Sequence, residues 1–487
     1  MTTKTKHGVA TRLGEGRRWI RPLLALALLV AFPVTGCNLE VVDPDIITPD
    51  NLTGEAALPT IRAAALGDFS LAYSGSGADG SSGTEGIITS SALLADEYIN
   101  SETFPTRVEI DRRATQITNG TLTGWFRTLS RARRSQEFAA GRYRALASDT
   151  TLQPGLAEML SLSGFTYLFF AENYCSGVPF STANDDGSLV FGPPLTTAQM
   201  LDTAEVRFRA ALAAATALQS SIAQRTARID LARIGLARSL LAQGDYAGAA
   251  AAVGGATPVP TTFVYLIGHS ENSTRQNNGV HVANVVAERY AVADGEGGNG
   301  LRFRTQMDGR VPSGRFPSTD VGFDNITPQI DQQRFGDRKA PNPLATGAEA
   351  RLIEAEALLV AGDTVGALAI HNALRAAPPA YFAPVNETRA IAVAYGPLPA
   401  LTATDVTNAG GAVNLLFKER AYWLWLSGHR LGDLRRLTHP PYNRGGETVF
   451  PTGAYFKGGI YGTDYNFPVP FDETNNPNFT QCIDRNS

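Results

Sequence analysis

The feature that most restricts what this chain can fold into is a stretch that it repeats. Aligning residues 232–245 with 350–363 pairs Ala232 with Ala350, Arg233 with Arg351 and Ala237 with Ala355. Leu240, Leu241, Gly244 and Asp245 then fall on Leu358, Leu359, Gly362 and Asp363 at the same offset of 118 residues. Each copy reads as an alanine-rich helix, a Gly-Asp turn and a second helix, over 247–253 and 365–374. Small residues let paired helices approach closely, and the glycine can take the left-handed conformation that ends the first helix. The competing explanation is composition: alanine is the best helix former, so two alanine-rich helices can match without shared architecture.

The unit resembles a tetratricopeptide repeat, and helical periodicity recurs outside it. In 122–145 the residues Trp125, Phe126, Leu129 and Ala132 return at helical spacing, and in 204–218 so do Ala204, Phe208, Ala211, Ala215 and Leu218. The segment 155–173 is nearly apolar along Leu162, Phe165, Leu168, Phe169 and Ala171, which predicts a helix buried on several sides. Between the two repeats, 254–347 is rich in Gly, Pro, Asn and aromatic residues, with short extended candidates at 262–267 and 280–286. Its apolar content argues for an ordered, loop-rich insertion packed on a helical frame, the kind of segment that carries function. The 48 glycines and 28 prolines among 487 residues agree with long loops beside regular elements.

The first 36 residues read as an address. Lys4, Lys6, Arg12, Arg17, Arg18 and Arg21 form a basic leader, and the apolar run 23–34 is too short to span a bilayer. It closes on Val34-Thr35-Gly36-Cys37, which resembles the lipobox of bacterial lipoproteins; ordinary secretion with a chance cysteine is the alternative. Cleavage would leave Cys37 as the first residue, held to the membrane by acyl chains, each buried methylene contributing about 0.8 kcal/mol. Residues 37–53, rich in Asp, Pro and Thr, then read as a tether, and 54–487 as the folded body. Removing the leader takes six basic residues and Glu15 from totals of 42 and 46, leaving 36 against 45, or a net charge of −9. Nucleic acid is not an expected partner, because the basic cluster Arg131, Arg133 and Arg134 lies on a helical stretch and reads as a solvated face.

No catalytic constellation stands out. His7, His269, His281, His371, His429 and His439 show no metal-site spacing, so no metal or cofactor is expected. The run 75–80 lacks the lysine of a phosphate loop, and Asp185-Asp186 and Glu354/Glu356 read as solvated charges of turns and helix faces, not as an acid–base pair. With Cys37 committed to lipid, Cys175 and Cys482 remain as an even pair, either a disulfide or two separate buried thiols. Stacking on a sugar requires exposed aromatic faces with planar polar neighbours. The candidates are Phe69, Tyr73, Tyr98, Tyr265, Tyr290, Phe303, Phe316 and Phe323, near Asn272, Arg275, Asn277 and Arg302. Each competes with the plainer role of plugging a small core.

The carboxyl-terminal third carries a family resemblance. The stretch 417–436, with Glu419-Arg420, Gly428-His429-Arg430 and Asp433-Leu434-Arg435-Arg436, resembles the Glu-Arg, Gly-x-Arg and Asp-Leu-x-Arg helix of RagB/SusD proteins. Phe467-Pro468-Val469-Pro470, Glu473, Asn476-Pro477-Asn478 and Gln481 are similar to that family's closing pattern, and 350–357 to its Arg and Ala-Glu-Ala helix. Leu94-Ala95-Asp96-Glu97-Tyr98, Trp125 and 167–179 also fit. Trp423 and Ser427 stand where the family commonly has two further glutamates. Arg430, Asp433, Arg435 and Arg436 are expected to brace structure more than to meet ligand. The resemblance implies a mainly α, tetratricopeptide-like frame with irregular loops. It also implies a lipid-anchored outer-membrane protein, facing the cell surface, that captures glycans or other oligomeric nutrients for a TonB-dependent SusC-like transporter and is not an enzyme. It transfers no ligand-binding residue. A repeat scaffold that assembles envelope proteins shares the frame and the anchor, and an exposed aromatic platform would discriminate in favour of capture.

Overall fold

The computed structural model describes residues 53–77, 85–147, 152–184, 188–219, 221–315, 320–382 and 395–485. The leader, Cys37, the tether up to residue 52, Asp185-Asp186, Phe316 and part of the glycine-rich run 75–80 lie outside the described residues.

Helix α1 (Leu58–Ser74) opens with Pro59 in its first turn, where a missing N–H costs nothing, and buries Leu58, Ile61, Ala65 and Phe69. The wholly buried α2 (Ile87–Leu94) leads to strand β1 (Tyr98–Asn100) and the short α3 (Pro105–Asp111). In α4 (Gly120–Leu146) the Asn119 side chain caps the first turn by accepting from the Leu122 N–H, and Trp125, Phe126, Leu129 and Ala132 face the core. Nearly all of α5 (Pro154–Asn173) is buried, because it packs on α4, α6 (Thr197–Thr216) and α7 (Ile222–Ala242) at once. Phe208 of α6 makes that approach possible. A Cβ at Gly235 would sit 2.1 Å from its ring and one at Gly164 2.8 Å, so both helices offer bare backbone to the phenyl group.

Beyond α7 come α8 (Tyr246–Val253), then the insertion, then α9 (Gly347–Val360) and α10 (Thr364–Ala376). The two Gly-Asp turns have the same geometry. Gly244 and Gly362 have φ of 82° and 89°, and Asp245 and Asp363 accept from the N–H of Gly248 and Gly366 at 2.8 and 2.7 Å. The alignment therefore reflects one structural unit used twice, and α8 packs on α9 so that the copies adjoin. This is the tetratricopeptide-like, mainly α frame.

In the insertion lie β2 (Val264–Ile267), β3 (Tyr290–Val292) and, at its end, β4 (Asn342–Thr346). Pairing of β2 with β4 closes the insertion on itself, and antiparallel pairing of β3 with β1, Tyr98 opposite Val292, sews it to the amino-terminal helices. The expected extended segment at 280–286 is corrected: Gly279–His281 is helical and Val282–Val286 continues as a π turn. Asn278 decides this by accepting from the His281 N–H at 3.1 Å, while the His281 ring bonds the Phe335 carbonyl at 2.9 Å.

The stretch 417–436 is also not a single helix. It forms the end of α11 (Ala412–Trp423) and most of α12 (Arg430–Thr438), broken where Leu426 and Gly428 take φ of 50° and 72°. The break is buried, and the Leu426 N–H donates to Glu97 at 3.0 Å. Cys175 and Cys482 are disulfide-bonded, joining the end of α5 to the carboxyl-terminal tail across 307 residues. Among the described residues no helix is long and apolar enough to cross a membrane.

Candidate functional site

The structure sorts the sequence-derived aromatic candidates sharply. Phe69, Tyr73, Tyr98, Tyr290 and Phe303 are all at most 1% exposed, which corrects the expectation that they offer loop-borne faces. Phe69 and Tyr73 pack on Phe169 of α5, and the Tyr73 hydroxyl donates to the Pro343 carbonyl at 2.6 Å. Tyr98 stacks on Tyr290 across the β1–β3 pair, and Phe303 lies against Tyr422 and Trp425. Tyr265 is half-buried: its hydroxyl donates to Glu158 at 2.9 Å and the Arg228 guanidinium covers its ring. It borders a cleft of about 700 Å³ between α1 and 264–276, together with Asn272 and Arg275. Asn277 is buried, its amide bonded to the carbonyls of Ser270 and Ser273.

Phe323 is the ring that remains open, at 48% exposed, and it has company that the sequence reading missed. Phe104, which precedes Pro105 at the start of α3, and Phe456, at the tip of the bend bridged by Ala454 and Ile460, are 39% and 46% exposed. Arg289 joins the first two, its guanidinium lying 5.1 Å from the Phe104 ring centroid and 4.8 Å from that of Phe323. Lys457 joins the third. Its ammonium lies 5.7 Å from the Phe456 ring centroid, pairs with Asp324 at 2.8 Å and donates to the Glu102 carbonyl at 2.7 Å. Segments far apart in the chain thus bring exposed rings together through Arg289, Lys457 and Asp324, and Ile326 and Ile460, close in sequence to Phe323 and Phe456, are exposed too.

The platform is rigid because of what lies behind it. Arg289 pairs with the Glu102 carboxylate, Arg107 pairs with Glu102 at 3.3 Å and with Glu85 at 2.7 Å, and Glu85 also accepts from Tyr290 and Trp125. Burial raises the Glu102 carboxyl above its usual range, opposed by the Arg107 and Arg289 charges. The loop bearing Phe323 is stapled: the Phe323 N–H donates to Glu288, the Asp324 N–H to Ser101, and Asp324 accepts from the N–H groups of Ile326 and Thr327. Although partial burial opposes it, Lys457 and these donors hold the Asp324 carboxyl down at about 2. Glu288 and Asn325 flank the ring with φ of 55° and 58°, a conformation that non-glycine residues adopt at a cost and that clusters at ligand-binding surfaces.

Single exposed hydrophobics are ordinary on any surface. Three phenylalanine faces fixed by a buried ion network are a different arrangement. The negative face of an aromatic ring attracts polarised C–H bonds, and the charged groups at its edge can bond hydroxyls. Two cues were present in the sequence: an aromatic at 104 where a helix-capping polar residue is favoured, and Tyr455-Phe456-Lys457-Gly458-Gly459, whose glycines mark a bend. Of the cluster Arg131, Arg133 and Arg134, Arg131 is exposed as a solvated face requires, whereas Arg133 is corrected: it is 4% exposed and bonds Glu137 and the Ser181 carbonyl. Glu356 is likewise buried, against Arg436 and Arg420, while Glu354 pairs with Arg351. Arg430, Asp433, Arg435 and Arg436 are buried and partnered, Arg430 bonding both Asp96 oxygens and Arg435 the Ala171 carbonyl. No group of three His, Cys, Asp or Glu side chains is placed to hold a metal among the described residues.

A helical-repeat frame whose insertion helps to hold three exposed phenylalanine rings over a braced ion network is the arrangement this chain presents. The comparisons with solved structures agree at the level of fold, and the chain has the fold of the SusD superfamily. A SusD superfamily protein from Bacteroides thetaiotaomicron matches 87% of this chain and 99% of its own, at 14% identity and a TM-score of 0.60. Surface glycan-binding protein A from Bacteroides uniformis matches 88% and 99%, at 12% identity and a TM-score of 0.60. A laminarin-binding SusD-like protein matches 88% and 99%, at 14% identity and a TM-score of 0.58. No family model and no curated protein matches by sequence.

Proposed function

We propose that this chain is a RagB/SusD-type lipoprotein that captures an oligosaccharide on the Phe104–Phe323–Phe456 platform and delivers it to a TonB-dependent SusC-like transporter in the outer membrane. The observation that carries this reading is the exposed, ion-braced ring cluster. An envelope scaffold sharing the helical frame has no use for it. Glycan-binding and laminarin-binding proteins with the same fold support a carbohydrate as the ligand class. The lipobox at Cys37 and a tether of roughly fifteen residues support membrane attachment with freedom to hinge, so that local tethering offsets weak affinity.

Binding without turnover is the expected activity, at micromolar to millimolar affinity for a shallow surface, roughly −4 to −8 kcal/mol. Calorimetry against laminarin and a panel of other neutral oligosaccharides tests it. Phe323→Ala and Phe104→Ala should each weaken binding about tenfold, the scale of one lost aromatic contact. Unchanged affinity in both variants, or hydrolysis products in place of binding, would sink the reading. Cys37→Ser should release the protein from membranes, and mild detergent should extract the native form together with its transporter. Persistence of the variant in salt-washed outer membrane would exclude lipid as the anchor.

A further inference from the structure

A second recess lies on the carboxyl-terminal side of the frame, a cleft of about 650 Å³ whose lining includes Lys418, Arg430 and Arg444 and no carboxylate. Its size is that of a small-ligand site. Leu301, Leu434 and Leu437 also line it, with Asn299, whose amide donates to the Glu447 and Phe450 carbonyls, and Asn414, whose amide donates to the Ala409 carbonyl. Arg430 is neutralised by both oxygens of Asp96. The other two cations are not neutralised. Arg444 donates to the Asn414 side-chain oxygen at 2.6 Å, and Lys418 reaches only the Gln306 amide oxygen at 3.4 Å and the Tyr422 ring. Neither forms an ion pair among the described residues.

The other two lysines of the described residues, Lys339 and Lys457, each have an aspartate. Two uncompensated cations facing one recess, in a chain with four more acidic than basic residues, leave a local positive field that a ligand anion would complete. Asn414 and Lys418 are one helical turn apart on α11, so they share a face, and Asn414 holds the Arg444 guanidinium in place.

We infer that this cleft binds the carboxylate of an acidic sugar, a uronate unit within an oligosaccharide, with Lys418 and Arg444 on the anion. Half-buried Leu301 meets the C–H face of the pyranose, and the Asn299 side-chain oxygen accepts from a hydroxyl. The inference rests on the proposal that the ligands are carbohydrates, and it adds a second site and a charge preference that the phenylalanine platform does not provide. A carboxylate could also arrive on a peptide; the carbohydrate reading of the platform favours the sugar.

Calorimetry on the full chain with tetragalacturonate, at low ionic strength, is the test, beside a neutral tetrasaccharide, N-acetyl-trialanine and inorganic phosphate. Tetragalacturonate should bind, Lys418→Gln and Arg444→Gln should each weaken it roughly tenfold, the scale of a charge-assisted bond, and added salt should weaken it further. Phe323→Ala should reduce binding of the neutral sugar more than that of tetragalacturonate. Equal affinity of wild type and both charge variants for tetragalacturonate would overturn the site, as would equal binding of phosphate. Tighter binding of N-acetyl-trialanine would overturn the sugar assignment. Loss of neutral-sugar binding alone counts against the platform and leaves this cleft standing, so the two failures are distinct.

Discussion

At the scale of single residues, buried charge dominates this protein. Only five of its 42 basic residues are lysine, and the arginine fork suits the buried carboxylates it meets. Glu419 accepts from Arg310 at 2.6 and 3.1 Å and from Arg375 at 2.8 Å, and despite its burial these cations hold its carboxyl down at about 2. Where the family resemblance leads one to expect a glutamate, Trp423 lies under the Arg310 guanidinium at 4.8 Å, so an indole face takes over part of the cation's company. Glu419→Gln would leave the Arg375 guanidinium without this ion pair and Arg310 with Asp308 alone, and urea denaturation should show a loss of about 3–5 kcal/mol; a loss below about 1 kcal/mol would mean that water reaches the site.

Glu97 behaves in the opposite sense. Burial pushes it up to about 8, against the pull of the Leu426 N–H, so the folded chain holds a proton at neutral pH that an unfolded glutamate at 4.5 has released. The stability linked to that proton is complete below pH 4.5 and is lost as the pH rises to about 8. Asp111 and Glu296, buried together and raised by that burial, add to the same slope. The denaturation midpoint should therefore be higher at pH 5 than at pH 8. Glu97→Gln, which keeps an oxygen for Leu426, should shrink the difference; an identical pH slope in the variant would assign it to other groups.

At the scale of elements, the two Gly-Asp turns invite the simplest comparison. Nothing lies within 4 Å of a Cβ built at Gly244 or Gly362, so alanine there meets only the left-handed backbone penalty, about 1–2 kcal/mol at each site. Thermal unfolding of Gly244→Ala, Gly362→Ala and the double variant should show similar and nearly additive losses. A loss at one turn only would show that the repeats are not equivalent in energy. The helices around these turns were legible because their apolar spacing coincides with their buried faces, as at Trp125, Phe126 and Leu129 of α4. Segment 280–286 was misread because valines favour strands in isolation, and a cap from Asn278 outweighs that preference. The break between α11 and α12 was hidden for a related reason: Leu426 takes a positive φ only because a buried Glu97 and the packing of Trp425 hold it there.

At the scale of the whole molecule, the disulfide and the tail close the structure. The Ser176 N–H donates to Asp484, the Ile483 N–H donates back to Ser176, and Arg485 pairs with Asp464 at 2.7 Å, so the tail is fastened with or without the covalent link. Cys482→Ser should cost about 2–5 kcal/mol, the range for a native disulfide spanning a long loop. Free-thiol labelling of the denatured, non-reduced protein should find neither Cys175 nor Cys482; labelling of both would refute the bond.

By itself the sequence determined the frame of this protein. A repeat pinned by Gly244 and Gly362, helices marked by apolar spacing and a loop-rich insertion between them are local patterns, and local patterns survive being read one segment at a time. Its aromatic content announced that a ring surface was available without saying which rings form it. Only the tertiary structure decided that, because exposure is a property of what packs over a side chain. Tyr73, Tyr98, Tyr290 and Phe303 are covered by helices and strands from elsewhere in the chain, while Phe104, Phe323 and Phe456 meet at the surface through Arg289 and Lys457. The same holds for the cations of the second cleft. Lys418 and Arg444 look like any other basic residues in the sequence, and what brings them to one recess whose lining holds no carboxylate is long-range packing.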